Sequence, residues 1–114
     1  MTKIDARRNA DAIRVLNDNF RTTFIGGQLY LTIGVAELPI DVKANALLMV
    51  KTFKDFTGDN DPHGEHDFGL IEDGDVRCFW KIDYYDSDME LMSPDAADPS
   101  VTTRVLTVML ADEY

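Results

Sequence analysis

Residues 68–85 constrain the fold more than any other stretch. Val76, Cys78, Trp80, Ile82 and Tyr84 alternate with Arg77, Phe79, Lys81, Asp83 and Tyr85. That period of two belongs to an extended strand with one face buried. Phe68-Gly69-Leu70-Ile71-Glu72 precedes it, with Asp73-Gly74 between the two runs. Asp-Gly in that position predicts a two-residue hairpin turn with positive φ at both central residues. Such a turn pairs Glu72 with Asp75. It then sets Phe68 opposite Phe79, His66 opposite Lys81 and Asp67 opposite Trp80.

The rest of the chain supplies elements to cover that hairpin. Ile13, Leu16, Phe20 and Phe24 fall at spacings of three and four, an amphipathic helix over about 3–20 with Arg7, Arg8 and Arg14 off the stripe. Gly26-Gly27 breaks it. Leu29, Leu31 and Ile33 alternate with Tyr30 and Thr32, which predicts a half-buried strand over about 28–34. Pro39 and Asp41 open a second helix over about 40–55, with Val42, Ala46, Met49, Val50 and Phe53 toward the core. Thr57-Gly58 ends it. Met89 and Leu91 suit a short edge strand. Asp98-Pro99 reads as an N-cap followed by an N1 proline. A third helix is expected over about 99–112, with Val101, Val105, Val108 and Met109 at helical spacing, although its three valines and three threonines lower helix propensity. The expected fold is a single two-layer α+β domain, 1–114, with a small, mostly antiparallel sheet packed by three helices.

With 114 residues the chain can bury a core without disulfide or metal. Its one cysteine, Cys78, falls on the buried face of the hairpin and suits a reducing compartment. Met1-Thr2-Lys3-Ile4-Asp5 lacks the apolar core of a signal peptide, and no apolar run approaches the ~20 residues of a membrane span. A cytoplasmic location is expected. The net charge of −10 is uneven: residues 1–55 carry eight basic and six acidic side chains, residues 56–114 three basic and fifteen acidic. A field of that sign repels nucleic-acid phosphates and attracts basic protein surfaces.

Both histidines lie in Asp59-Asn60-Asp61-Pro62-His63-Gly64-Glu65-His66-Asp67. His63, His66, Asp59, Asp61 and Glu65 form a candidate donor set for zinc or manganese. Against it, extended backbone would point His66 and Asp67 to opposite sides, and Asx side chains in such a loop commonly bond nearby amides instead. A calcium loop fits worse than zinc or manganese, because the twelfth position, which needs a bidentate acid, is Leu70. His66 with Lys81 and Asp83 across the hairpin offers titratable groups for acid–base work. No phosphate-binding glycine loop, nucleophile elbow or zinc-finger spacing is present. A second candidate is the strip Asp83, Tyr85, Asp86, Asp88, Glu90 and Asp95, where aromatic and apolar residues interleave with acids. Such a strip suits a basic partner, the aromatics anchoring and the acids steering.

The run from Asp59 to Gly69, then Phe79-Trp80-Lys81-Ile82-Asp83-Tyr84-Tyr85-Asp86, Ser93-Pro94-Asp95 and Val101 to Tyr114 resembles a small bacterial family, domain of unknown function 3768. Leu16-Asn17-Asp18 and Phe20-Arg21 also fit, so the likeness spans about 11–114. The resemblance implies small single-domain proteins, mostly of alphaproteobacteria and their plasmids and phages. It carries no catalytic residue over. The combined expectation is a non-enzymatic acidic protein that presents its second half to a basic, nucleic-acid-binding surface of a partner, as a mobile-element inhibitor would. The alternative is a metal-dependent hydrolase-like site on the Asp59–Asp67 stretch. No cofactor, no membrane and no direct nucleic-acid contact are expected.

Overall fold

A computed structural model describes residues 3–114, with side chains from residue 9 onward. Arg7 and Arg8, expected on the wet side of the first helix, have side chains outside the described residues, as does the stretch Met1-Thr2. The first helix, α1, runs Lys3–Thr23. Ile13 and Phe20 are buried as the spacing predicts, but two polar neighbours are buried as deeply: Asn17 is 0% exposed and Arg21 3%. Phe24 and Gly26 take positive φ, which turns the chain out of the helix.

Strand β1 covers Gln28–Leu31 and stops short of the expected residue 34. The carboxylate of Glu113 accepts from the Thr32 hydroxyl (2.6 Å) and from Gly34 N–H (3.0 Å). Those bonds tie the chain into a short helix, α2, Ile33–Ala36, which carries Val35 into the core. Ile33 is therefore exposed instead of continuing the strand. Helix α3, Ile40–Lys51, opens at Pro39 as expected and ends before residue 55. The cause is Arg21, whose Nη1 donates to the carbonyls of Val50 (3.0 Å), Lys51 (3.2 Å) and Phe53 (3.1 Å). A cation on the orphan carbonyls of a helix end supplies bonds the helix cannot make for itself.

Strands β2, Phe68–Asp73, and β3, Val76–Tyr85, form the hairpin. Its turn is Gly74-Asp75, with Gly74 at φ +60°. Asp75 does not share the positive φ, which matches the turn class that needs glycine only at the first central position. The register is therefore two residues away from the one Asp73-Gly74 would give. Glu72 pairs with Arg77, Phe68 with Lys81 and Gly69 with Trp80. An even shift keeps every side chain on its expected face.

The predicted helix over 99–112 is instead strand β4, Thr103–Leu110, flanked by two short 3-10 turns. The strand order is β1-β4-β3-β2, with β4 antiparallel to β3 and parallel to β1. A strand paired on both sides and covered on both faces reads as a continuous apolar run, and Val105, Leu106, Val108 and Met109 are all buried. Asp98 does act as a cap, accepting from Ser100 N–H at 2.9 Å, but the element it caps is the short turn Pro99–Val101. Met89 and Leu91 form no edge strand; a single bridge joins Tyr85 and Met92.

All three helices contribute to one side of the sheet. Phe20, Val35, Ala46, Val50 and Phe53 pack on Ile71, Cys78, Trp80, Ile82, Leu106 and Val108. The rings of Phe68, Phe79 and Tyr114 gather separately. The fold is thus two-layer α+β with a mixed, mostly antiparallel sheet. Among the described residues no helix is long and apolar enough to cross a membrane.

Gly69 sits where any side chain would strike the core: an added Cβ would meet the Trp80 indole and lie 2.8 Å from Phe53 Cζ. Gly69→Ala should lower stability by roughly 1–3 kcal/mol through overpacking. Urea unfolding followed by the fluorescence of Trp80, the single tryptophan, measures it; an unchanged midpoint would contradict this packing.

Candidate functional site

Three residues of α1 reach into the loop between α3 and β2 and hold it. Arg14 Nη1 donates to the Gly64 carbonyl at 3.3 Å. Asn17 Nδ2 donates to the Glu65 carbonyl at 2.9 Å and to Tyr84 Oη at 2.8 Å. Asp18 Oδ1 lies 2.9 Å from His66 Nδ1 and also accepts from Arg21 Nη2 at 3.1 Å. The loop bonds itself as well, as Asx residues do. Asn60 Oδ1 accepts from Thr57 N–H (2.8 Å), and Asp61 Oδ1 accepts from His66 N–H (3.0 Å).

His66 is the centre of this arrangement. Its φ of +54° is uncommon for a side-chain-bearing residue and must be held by its surroundings. The imidazole stacks on Phe56 with ring centroids 3.7 Å apart and planes 3° from parallel. Nδ1 faces Asp18, and Nε2 lies 3.6 Å from Asp61 Oδ2. Two carboxylates on opposite edges of one ring fix its orientation, and they cannot both join His66 on a single ion.

The expected metal set is therefore only partly assembled. Asp61 and His66 meet. Glu65 is drawn to Tyr84, whose hydroxyl donates to its Oε1 at 2.9 Å. Asp59 and His63 are exposed. Among the described residues no group of three or more His, Cys, Asp or Glu side chains is placed to hold a metal ion. The acid–base set His66, Lys81 and Asp83 does not form at the expected register either. Lys81 pairs with Asp83 at 3.1 Å and stands across from Phe68. Asp18 lies off the apolar stripe of α1, so apolar spacing does not mark it. The signal was Asn17 and Arg21, polar residues at stripe positions four residues after Ile13 and Asn17 respectively.

Behind the loop lies a buried polar cluster. Arg104, 3% exposed, donates from Nε to Asn17 Oδ1 at 2.7 Å and from Nη2 to the Ala96 carbonyl, with its guanidinium 5.2 Å from the Tyr84 ring centroid. Burial pushes the Tyr84 phenol well above its ordinary value and lowers that of Arg104. Both shifts follow from the cost of charge away from water. Through Ala96, Arg104 also fixes the second acidic segment.

That segment, 86–98, is closely bonded. Asp86 N–H donates to the Leu91 carbonyl (2.8 Å), and Asp86 Oδ1 accepts from Glu90 N–H (3.0 Å). Ser93 N–H donates to the Tyr84 carbonyl (3.0 Å), and Asp95 Oδ1 accepts from Ala97 N–H (3.0 Å). Of the expected partner-facing residues, Asp86 and Asp95 thus shape the loop, and Asp83 is ion-paired. Asp88 and Glu90 point their carboxylates to solvent with no bond among the described residues. Leu91 (71% exposed), one of the apolar residues expected in that strip, and Met92 (83%), which was not expected there, stand beside them. Because Ile82 N–H donates to the Asp67 carbonyl and Tyr84 binds Glu65, the Asp59–Asp67 loop and the 86–98 segment gather at the same end of the sheet. Glu72, Asp73, Asp75, Asp112 and Glu113 lie toward the opposite end.

Asn17→Ala should cost roughly 3 kcal/mol, the upper range for stranding buried partners, since it orphans Arg104 Nε and the Glu65 carbonyl together. His63→Ala should stay within about 0.5 kcal/mol, as exposed substitutions do. Denaturant curves of the two variants check both, and equal losses would contradict the division. Asp67 gives a pH test. Burial first, then Glu65, raises its carboxyl above the ordinary range. A carboxyl raised by folding binds its proton more tightly in the native state, so ionised Asp67 opposes folding at pH above the raised value. Asp67→Asn should therefore be the more stable protein at neutral pH. The gain should vanish by about pH 3, below the ordinary Asp value of about 3.9. Thermal midpoints at the two pH values decide it, and a gain that persists at the acid end would rule out titration as its source.

The family described as "Protein of unknown function (DUF3768)" matches residues 31–113, which leaves out α1 and the part of the likeness expected over 11–30. No curated protein and no solved structure matches the chain. Since the matched stretch takes in the end of β1, all of β2 to β4 and both acidic segments, the chain belongs to the DUF3768 family.

Proposed function

We propose that this is a cytoplasmic, non-enzymatic binding protein that offers one acidic end of its sheet to a basic surface on a partner protein. A nucleic-acid-binding surface is the natural match, because spaced carboxylates on a rigid support occupy positions that phosphates would take. The same field repels nucleic acid itself. An inhibitor of the kind carried by mobile elements fits this mode of action.

One observation carries the reading. Leu91 and Met92 are exposed side by side on a loop pinned by its own backbone bonds, next to the free carboxylates of Asp88 and Glu90. Exposed apolar side chains rimmed by charge mark protein-binding sites. Apolar residues supply the buried centre of an interface, and acids at its rim raise the association rate and select basic partners. A loop already held in shape loses little freedom on binding. The metal-dependent hydrolase-like alternative has no comparable support, since His66 is held at both ring nitrogens by separate carboxylates.

Immobilised protein should capture partners at low salt and release most of them as ionic strength approaches 0.5 M, where the Debye length falls to about 4 Å. Asp88→Lys/Glu90→Lys should lose that capture without losing the fold, because neither carboxylate makes an internal bond among the described residues. Capture that is equal on the wild-type and charge-reversed proteins would refute the reading.

A further inference from the structure

Beneath Met92 lies a small cavity lined by Asp67, Ile82, Asp83, Tyr84, Tyr85 and Met92. Its volume is about 260 Å³. Small-molecule sites run to roughly 300–1,000 Å³, so this one has room for a single side chain and not for a cofactor. Its walls are of two kinds. Tyr85 and Met92 give aromatic and apolar surface, while Ile82 and Tyr84 turn their side chains to the core face of β3. Asp67 and Asp83 give two carboxylates, of which Asp83 already holds Lys81 at 3.1 Å. Asp67 is half-buried; its carboxylate is met by its own backbone N–H and lies near His63, but no side chain among the described residues donates a hydrogen bond to it. A carboxylate withdrawn from water without an ion-paired cation is an unfavourable arrangement that a cation would relieve.

We propose that this cavity receives one cationic side chain of the partner, an arginine or a lysine. The aliphatic stem would lie along Met92 and the Tyr85 ring, and the charged head would meet Asp67 and share Asp83. Long basic side chains bury their stems and place their heads in this way, and an aromatic wall adds attraction for the cation. The exposed pair Leu91 and Met92 forms the rim at which the rest of the partner would rest, an apolar feature that owes nothing to the acids. The inference rests on the proposed binding function and narrows it from a charged surface to one anchoring pocket.

The test uses propylguanidinium as the probe and propylurea, its neutral analogue, as control, with the full chain labelled for NMR. Propylguanidinium should shift the Met92 methyl, the Tyr85 ring and the Asp67 carboxyl in a saturable manner, and propylurea should not. Asp67→Asn, which relieves a buried charge and so stays folded, should weaken the response at least fivefold. Met92→Ala, which removes an exposed wall without touching the core, should weaken it too. If the shifts spread evenly over Asp88, Glu90 and the other exposed acids, or if Asp67→Asn responds like wild type, the pocket is not a cation site. Running the salt-dependent capture on the same variants separates the two claims. Capture that survives Asp67→Asn while propylguanidinium fails to saturate the pocket overturns this inference and leaves the acidic surface standing. Saturable binding of the probe without any charge-dependent capture does the reverse.

Discussion

The contact between Asn17 and Arg104 ties α1, the loop into β2 and the central strand into one polar cluster. An asparagine on the buried stripe of α1 accepts from a guanidinium on the central strand, while its amide donates to the Glu65 carbonyl and to Tyr84. Every atom in that set is costly to bury alone and inexpensive to bury together. The cluster therefore works as a whole or not at all. It fixes the angle of α1 on the sheet and the path of the loop into β2. Through Ala96 it also fixes the path of the segment into β4. Arg21, one turn further along α1, does the same for the end of α3. The helix layer is attached to the sheet by polar side chains as much as by apolar ones.

Such polar tethers explain what the sequence conveys and what it conceals. The hairpin faces were legible because Val76 to Tyr85 alternates without interruption, and Cys78, Trp80 and Ile82 are buried as that alternation requires. The turn itself was misplaced by one residue because Asp-Gly and Gly-Asp are both good turn pairs, and only the register of the neighbouring strands chooses between them. Strand β4 was hidden by burial on both faces. A run such as Val105-Leu106-Thr107-Val108-Met109 has no polar side to reveal its period, and its valines and threonines were the one local sign of strand. The donor set Asp59, Asp61, Glu65, His63 and His66 was legible as a cluster in sequence. Which members converge depended on Asp18, some fifty residues earlier, and no local pattern carries that.

Around His66 the chain accepts an unfavourable backbone angle and surrounds it with stacking from Phe56 and two carboxylates. Arg21 lies over the rings of Phe56 and Trp80 as well, and its Nε, like the Trp80 indole nitrogen, is buried without a hydrogen-bond partner among the described residues. Positive charge, aromatic rings and carboxylates thus form a continuous stack from the core outward. That stack gives the acidic loop a stiff base, and the hydrogen bonds of the 86–98 segment give its neighbour one. Two charged loops held this firmly at one end of the sheet repel each other continuously. The fold tolerates that strain because the tethers are buried while Asp59, Asp88 and Glu90 face water.

The strand order has a kinetic side. β4 is made after every other strand, yet it lies between β1 and β3. Until it is synthesised β1 has no strand neighbour, and the hairpin shows an open flank with Trp80 uncovered on one side. Closing the sheet joins residues some eighty positions apart, so the search is long and its entropy cost is met at the very end. A nascent chain would spend that interval with an adhesive edge available to other chains. The density of acidic residues between the hairpin and β4 then acquires a second use, since mutual repulsion keeps unfinished copies apart while the central strand is still to come.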